Sequence, residues 1–268
     1  MRVGFIGDVI GRPGREILIS NVKEVKKTYK LDFVVANCEN ASGGFGINSK
    51  NAIEILKSGV DVITGGNHSF DQKDIVGLMD EMPILRPYNH YDGISGKGII
   101  NLKKDNKNLC VINLMGNYGL NITNNAFFSA KEAIAKSESK NILIDFHAEV
   151  TSEKRAMMCY LNGEVSAIFG THTHIGTDDL QIYNGTAYVT DVGLSGNYFD
   201  IIGFEASSPI KSFLTGLKHS FSVDKNAKRA FQMVVFETDN NGKAVDAFKI
   251  RLIDGIDEIL IQRAIFAK

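Results

Sequence analysis

The chain is 268 residues long; at about 150 residues per domain, that length lies between one large domain and two small ones, and either buries a sizeable core. With 44% apolar and 23% charged residues it has an ordinary globular composition, which excludes disorder, collagen-like repeats and coiled coil. The 30 Lys plus Arg against 31 Asp plus Glu leave a formal net charge of −1, so no global field draws the chain to long nucleic acid or to an anionic membrane.

In chain order, Val3 to Ile6, Phe33 to Ala36 and Val60 to Thr64 are short runs rich in Val, Ile and Phe. Between them, Gly14 to Lys30 and Ser49 to Ser58 carry apolar residues at helical spacing. This β-α-β-α-β pattern, with near-continuous apolar strands, predicts an α/β fold whose mainly parallel central strands are covered by helices. Between Gly93 and Ile122, Gly, Asn and Lys surround strand-like pieces, which predicts hairpins or a small inserted subregion near 93–122 within a single domain over 1–268. Strand patterns return at Cys110 to Leu114, Asn141 to Phe146, Ser166 to Phe169 and Thr186 to Thr190. At the end, Ala230 to Thr238 and Ala244 to Ile253 flank Asn240, Asn241 and Gly242, a hairpin signature.

Cys38, Cys110 and Cys159 lie far apart with no C-x-x-C pair, which points to a reducing compartment rather than a disulfide framework or zinc knuckle. The opening MRVGFIGD is too short for a signal peptide core, and no apolar run approaches about 18 residues. A soluble, cytoplasmic protein without a membrane partner is expected.

Polar residues concentrate at the strand ends. Asp8 follows VGFIG, Glu39 and Asn40 follow FVVANC, Asn67 and His68 follow DVITGG, His147 follows LIDF, and His172 and His174 follow AIFGT. Ligands of an open α/β sheet bind beyond the carboxyl ends of its strands, so these distant residues are expected to converge on one edge. Each also has an ordinary structural explanation. Asp8 alone reads as a helix cap, Glu39 and Asn40 as loop-shaping residues, and His68 or His147 as a satisfied buried imidazole. Their coincidence favours a metal site. Carboxylates, carboxamide oxygens and imidazoles suit a borderline divalent transition ion, and they are too many for one tetrahedral zinc. A centre of two ions roughly 3.5–4 Å apart, holding a hydroxide between them, fits the set and suits phosphate-ester hydrolysis.

GDVIGRPG lacks the Lys and Ser/Thr of a P-loop, and SGGFGI departs from the dinucleotide fingerprint. Their glycines read first as positions of positive φ or close backbone approach, with amides gripping a phosphate as the bolder alternative. Arg86, Tyr88, Asn89 and His90 in RPYNHYDG read as turn decoration outside the site, and His219 as a surface residue.

The ordered set GD at Gly7 and Asp8, NCEN at Asn37 to Asn40, GGNH at Gly65 to His68, FHAE at Phe146 to Glu149 and GTHTH at Gly170 to His174 resembles the calcineurin-like metallophosphoesterases. More narrowly it resembles their YmdB-like bacterial branch of cyclic-nucleotide phosphodiesterases, a likeness that extends to TSEK at Thr151 to Lys154 and TDVGLSG at Thr190 to Gly196. The resemblance implies the layered metallophosphoesterase-type fold and two divalent transition ions. One would be held by Asp8, Glu39, Asn40 and His174; the other would share Glu39 and add Asn67, His147 and His172. His68 would act as general acid or phosphate-positioning group. It further implies hydrolysis of 2′,3′-cyclic nucleotides by in-line attack of the bridging hydroxide, and assembly into a homo-oligomer. FFSAKEAIA could supply an interface, although core burial explains that stretch more simply.

The pattern departs from the wider superfamily in three places. Ile10 stands where a His is usual, Glu39 where the bridging residue is usually Asp, and Ser69 where an acidic residue usually orients the histidine of GNH. Asn40 would replace the missing imidazole, its harder oxygen favouring iron or manganese over zinc. Asp71 or a backbone carbonyl would orient His68. Two rival readings are a nucleotide- or RNA-binding regulatory module with little turnover, and a dinuclear nucleotidase or RNA phosphodiesterase.

Overall fold

The computed structural model describes every residue except 121, 122, 225 and 268. Its strands are β1 (Arg2–Ile6), β2 (Phe33–Asn37), β3 (Val62–Thr64), β4 (Ile99–Lys104), β5 (Lys107–Met115), β6 (Ile142–His147), β7 (Ala167–Thr171), β8 (Gln181–Tyr183), β9 (Thr186–Val189), β10 (Gly196–Asn197), β11 (Arg229–Thr238), β12 (Ala244–Ile253), β13 (Ile256–Arg263) and β14 (Ile265–Ala267). The α-helices are α1 (Gly11–Thr28), α2 (Ser49–Ser58), α3 (Ala126–Ala135), α4 (Thr151–Leu161) and α5 (Ser207–Thr215).

The strands form two sheets. The first runs β13-β12-β11-β1-β2-β3 with β10 beside β11, and the second β14-β8-β9-β7-β6-β5-β4. The strands that lead into the candidate site, β1-β2-β3 and β5-β6-β7, are parallel, while β11-β12-β13 and β4-β5 are antiparallel. Alternation along each strand explains the layering. Val3 and Phe5 of β1 and Val35 of β2 pack against Val111 of β5, Leu143 of β6 and Phe169 of β7, forming a core between the sheets. The opposite faces each meet helices. Ile6 and Ala36 pack with Leu18 and Val22 of α1 and Ile55 of α2, while Ile112 and Ile144 pack with Ala130 of α3 and Met157 of α4.

The expected burial of both strand faces holds, but the inner cover is a second sheet where the sequence reading pictured helices. An apolar run reports only that a face is dry and not what covers it. α2 occupies the expected residues, with Asn48 as its cap accepting from the Asn51 amide at 2.9 Å, and Gly59 at φ 120° as its stop. The turn before β12 uses Gly242 at φ 80°, as the hairpin signature requires. Much of the region near 93–122 is the β4-β5 hairpin, built into the second sheet; its last two residues, 121 and 122, lie outside the described residues. FFSAKEAIA is α3, with Ala126, Ala130 and Ala133 buried and Phe128 exposed. Among the described residues, no helix is long and apolar enough to cross a membrane.

Candidate metal centre

All the strand-end residues of the sequence reading meet where the carboxyl edges of the two sheets face each other. Asp8, Glu39, Asn40, Asn67 and His68 arrive from the first sheet, and His147, His172 and His174 from the second. The β1 and β2 loops are tied together by backbone bonds from Val9 to the Asn37 carbonyl and from Gly11 to the Asn40 carbonyl, each 2.9 Å. Asp8 is not a helix cap. Ile10 holds the cap position of α1 without any side-chain bond, and the fully buried Asp8 carboxylate instead accepts the His172 amide at 3.2 and 3.3 Å.

The donor atoms are close. His147 Nε2 lies 3.0 Å from Glu39 Oε1 and 2.9 Å from Asn67 Oδ1, and His174 Nε2 lies 3.8 Å from Asp8 Oδ1. Donor atoms of Glu39, His147 and His172 all fall within 4.8 Å of one another. The His147 and His172 rings meet edge to face at 4.7 Å. Gly66 makes this approach feasible, because a Cβ there would sit 2.3 Å from both Glu39 Oε2 and His147 Cδ2.

Outer hydrogen bonds fix which imidazole nitrogen faces inward. The Thr171 hydroxyl gives its proton to Asp145 Oδ1 at 2.7 Å, so it accepts from His147 Nδ1 at 3.0 Å, and Nε2 is left for the centre. His174 Nδ1 donates to the Ile202 carbonyl at 2.8 Å, which likewise turns Nε2 inward. Burial, followed by the neighbouring His147, pushes His172 down to about 3, and its Nε2 lies 2.9 Å from the half-exposed Glu149 carboxylate.

Electrostatics favour a cation here. Burial raises the carboxyl of Asp8 against the opposing pull of His174. Burial is the largest single influence on Glu39 and would raise it, but His147 and His68 together outweigh it and bring Glu39 down to about 2. Burial would lower His147, and Glu39 followed by Asp8 and Asp145 reverses that, raising it. A proton on Nε2 thus answers the surrounding oxygens, and a metal ion would replace it. Glu39 Oε1 and Asn40 Oδ1 are buried without a hydrogen-bond partner among the described residues, the Glu39–His147 contact being close but not aligned for one. Two acceptors without donors in a dry site, beside imidazole lone pairs, fit divalent ions of intermediate hardness. The Asn40 amide is oriented for this, since its Nδ2 donates to the Gly44 carbonyl at 2.9 Å.

His68 stands at the rim. Its amide donates to Glu39 Oε2 at 3.0 Å, and its Nδ1 lies 2.7 Å from Asp71 Oδ2. Asp71, not a backbone carbonyl, is the orienting group; Ser69 is buried and closes the GGNH turn through both Gly66 backbone groups. Ile10 is buried, its side chain packed where a Cβ on Gly203 would sit 2.6 Å away.

The sequence reading assigned no role to Asp145, nor to Lys154 and Asp191 within the TSEK and TDVGLSG stretches. Asp145 links the sheets, accepting from Asn37 and Thr64 of the first and from Thr171 of the second. His172 and His174 hold φ values of 96° and 66°, a left-handed backbone that costs about 1–2 kcal/mol per residue. Asp191 holds that turn through Thr173 N at 3.1 Å and Thr173 Oγ1 at 2.8 Å, and is itself paired with fully buried Lys154 at 2.9 Å. Asn89 is structural, with its buried amide bonded to Met115 through both its oxygen and its nitrogen. His219 is half-buried and not on the open surface. The glycines of SGGFG take positive φ, as their ordinary reading requires.

The family model described as "YmdB-like protein" matches residues 5–250. The chain is 42% identical over 258 residues to a 2′,3′-cyclic-nucleotide 2′-phosphodiesterase of Bacillus subtilis strain 168, covering 95% of this chain and 98% of that one. A crystal structure of a phosphatase from Mycoplasma pneumoniae superposes with a TM-score of 0.89 at 34% identity, covering 94% of this chain and 93% of that one. A hypothetical protein from Thermus thermophilus superposes with a TM-score of 0.88 at 32% identity, covering 99% of this chain and 100% of that one. The layers, the parallel strands at the site and these neighbours make the architecture the metallophosphoesterase-type fold. The chain belongs to the YmdB-like protein family.

Proposed function

We propose that this chain is a metal-dependent phosphodiesterase that opens 2′,3′-cyclic nucleotides at the 2′ ester. The observation that carries the reading is the buried donor cluster of Asp8, Glu39, Asn67, His147, His172 and His174, with Glu39 Oε1 and the neighbouring Asn40 Oδ1 lacking a hydrogen-bond partner among the described residues. The 42% identity to a cyclic-nucleotide phosphodiesterase supports the substrate class. Asp8, Glu39, Asn40 and His174 would hold one ion; Glu39, Asn67, His147 and His172 would hold the second. Their oxygen-rich composition favours iron or manganese. When bound, such ions supply Lewis acidity, a nucleophile at neutral pH and neutralisation of phosphate charge.

The chain's own part is positioning and proton transfer. His68, held through Nδ1 by Asp71, donates a proton to ribose O2′ as the P–O2′ bond breaks, while water supplies the hydroxyl gained by phosphorus. The product is a 3′-monophosphate. Free Cys38, Cys110 and Cys159 agree with a reducing, cytoplasmic setting.

A metal-replete panel of cyclic nucleotides, mononucleotides and short RNA tests the reading. Ring opening to the 3′-monophosphate, well above the metal-ion background, is the expected result. Tight cyclic-nucleotide binding without turnover would make the chain a regulatory module instead. Exclusive turnover of monoesters or RNA would move it to another substrate class.

A further inference from the structure

We propose that the apolar cavity beside His68 receives the nucleobase of the substrate, with Phe45 as its stacking platform. This rests on the phosphodiesterase reading above and adds to it the end of the substrate that does not react. The cavity, ≈ 580 Å³, is walled by Phe45, Phe213, Leu217 and Phe221, with Lys218, His219 and two serines as polar members. Phe45 belongs to both places, because its ring also meets the His68 ring edge-on at 5.1 Å. One aromatic ring therefore separates the proton donor from the cavity, which is the order of parts in a nucleotide whose phosphate lies at the metals.

Phe45 is held in place. Its ring stacks on Phe204 at 5.5 Å, its carbonyl accepts from Gln72 Nε2 at 2.8 Å, and it remains 37% exposed. Phe204 reaches the loop only because residue 44 is glycine, at φ 96°, where a Cβ would lie 2.5 Å from the Phe204 ring. An exposed aromatic fixed by its neighbours is a poor element of a core and a good surface for a flat ring, since every base has a π-face. The chemistry of the walls selects the base end over the phosphate end. Lys218 is the single cation among the lining residues, whereas apolar carbon dominates. His219 lines the same cavity, with its Nε2 buried and without a hydrogen-bond partner among the described residues.

The test compares adenosine 2′,3′-cyclic phosphate with a base-free analogue, methyl ribofuranoside 2′,3′-cyclic phosphate, on the metal-loaded full chain. Phe45→Leu should lower the ratio of the two kcat/KM values about tenfold, chiefly through KM for the nucleotide, and Phe45→Tyr should restore it. A Phe45→Leu enzyme with the wild-type ratio overturns the proposal, as does an equal fall in kcat on both substrates, which would make Phe45 a mere support for His68. Phe213→Ser should also lower the ratio without changing molecular mass in sedimentation. An unchanged ratio with dissociation of an oligomer would assign the cavity to a second copy of the chain and overturn the proposal. If the wild type hydrolyses neither substrate, the phosphodiesterase reading fails separately. Equilibrium binding of adenosine 3′-monophosphate then decides the base site: about tenfold weaker binding by Phe45→Leu supports it, and equal binding removes it.

Discussion

The two sheets bring different chemistry to their shared edge. From the first come oxygens: the carboxylates of Asp8 and Glu39 and the amides of Asn40 and Asn67. From the second come the nitrogens of His147, His172 and His174. The first group sits on loops whose backbones are bonded to each other, whereas the second depends on buried polar partners behind it: Thr171 and Asp145 for His147, and Lys154 and Asp191 for the turn that carries His172 and His174. Neither sheet alone offers a mixed donor set, so the centre belongs to the seam and is only as precise as the contacts that register one sheet on the other.

This contrast can be broken from either side. The largest effect is expected from the carboxylate of the first sheet that would serve both ions: Glu39→Ala should lose metal and lower kcat by about a thousandfold or more, read by turnover and elemental analysis. Next is the support of the second sheet. Lys154→Met strands the charge of Asp191 in a dry interior and should cost about 3–5 kcal/mol in denaturant unfolding, most of it recovered by also replacing Asp191 with Asn. Thr171→Val leaves the inward-facing atoms in place but removes the acceptor of His147 Nδ1, and metal affinity should fall about 10–100-fold by competition with a chelator. The mildest change is Asp71→Asn at the rim, with kcat reduced about tenfold and metal content unchanged. Unaltered metal affinity in Thr171→Val would show that the second sheet needs no such backing.

The sequence made one side of this contrast easier to read than the other. A polar residue directly after an apolar strand, as at Asp8, Glu39, Asn67, His147 and His172, points to the carboxyl edge by strand geometry alone, and the structure brings these residues together. The backing groups have no such local mark of their role, although Lys154 and Asp191 fall in the TSEK and TDVGLSG stretches of the family likeness. Lys154 lies on a helix, where an isolated lysine ordinarily reads as solvated, and its partner Asp191 is 37 residues away. Asp145 did carry a clue, being an acid in the middle of the fully buried strand ILIDFH, and a charge at such a position demands partners. The pairing of two sheets was invisible for a different reason. Val3 and Phe5 read as apolar whether they face a helix or a sheet, so topology fixes what composition leaves open.

Metal stoichiometry after chelation and stepwise refilling, followed together with turnover of a 2′,3′-cyclic nucleotide, tests the seam centre most directly. The expected result is close to two transition ions per chain, with activity lost on chelation and regained only as the second ion binds. A folded chain that hydrolyses the same substrate at full rate with no ion, or that never takes up more than one, would contradict it.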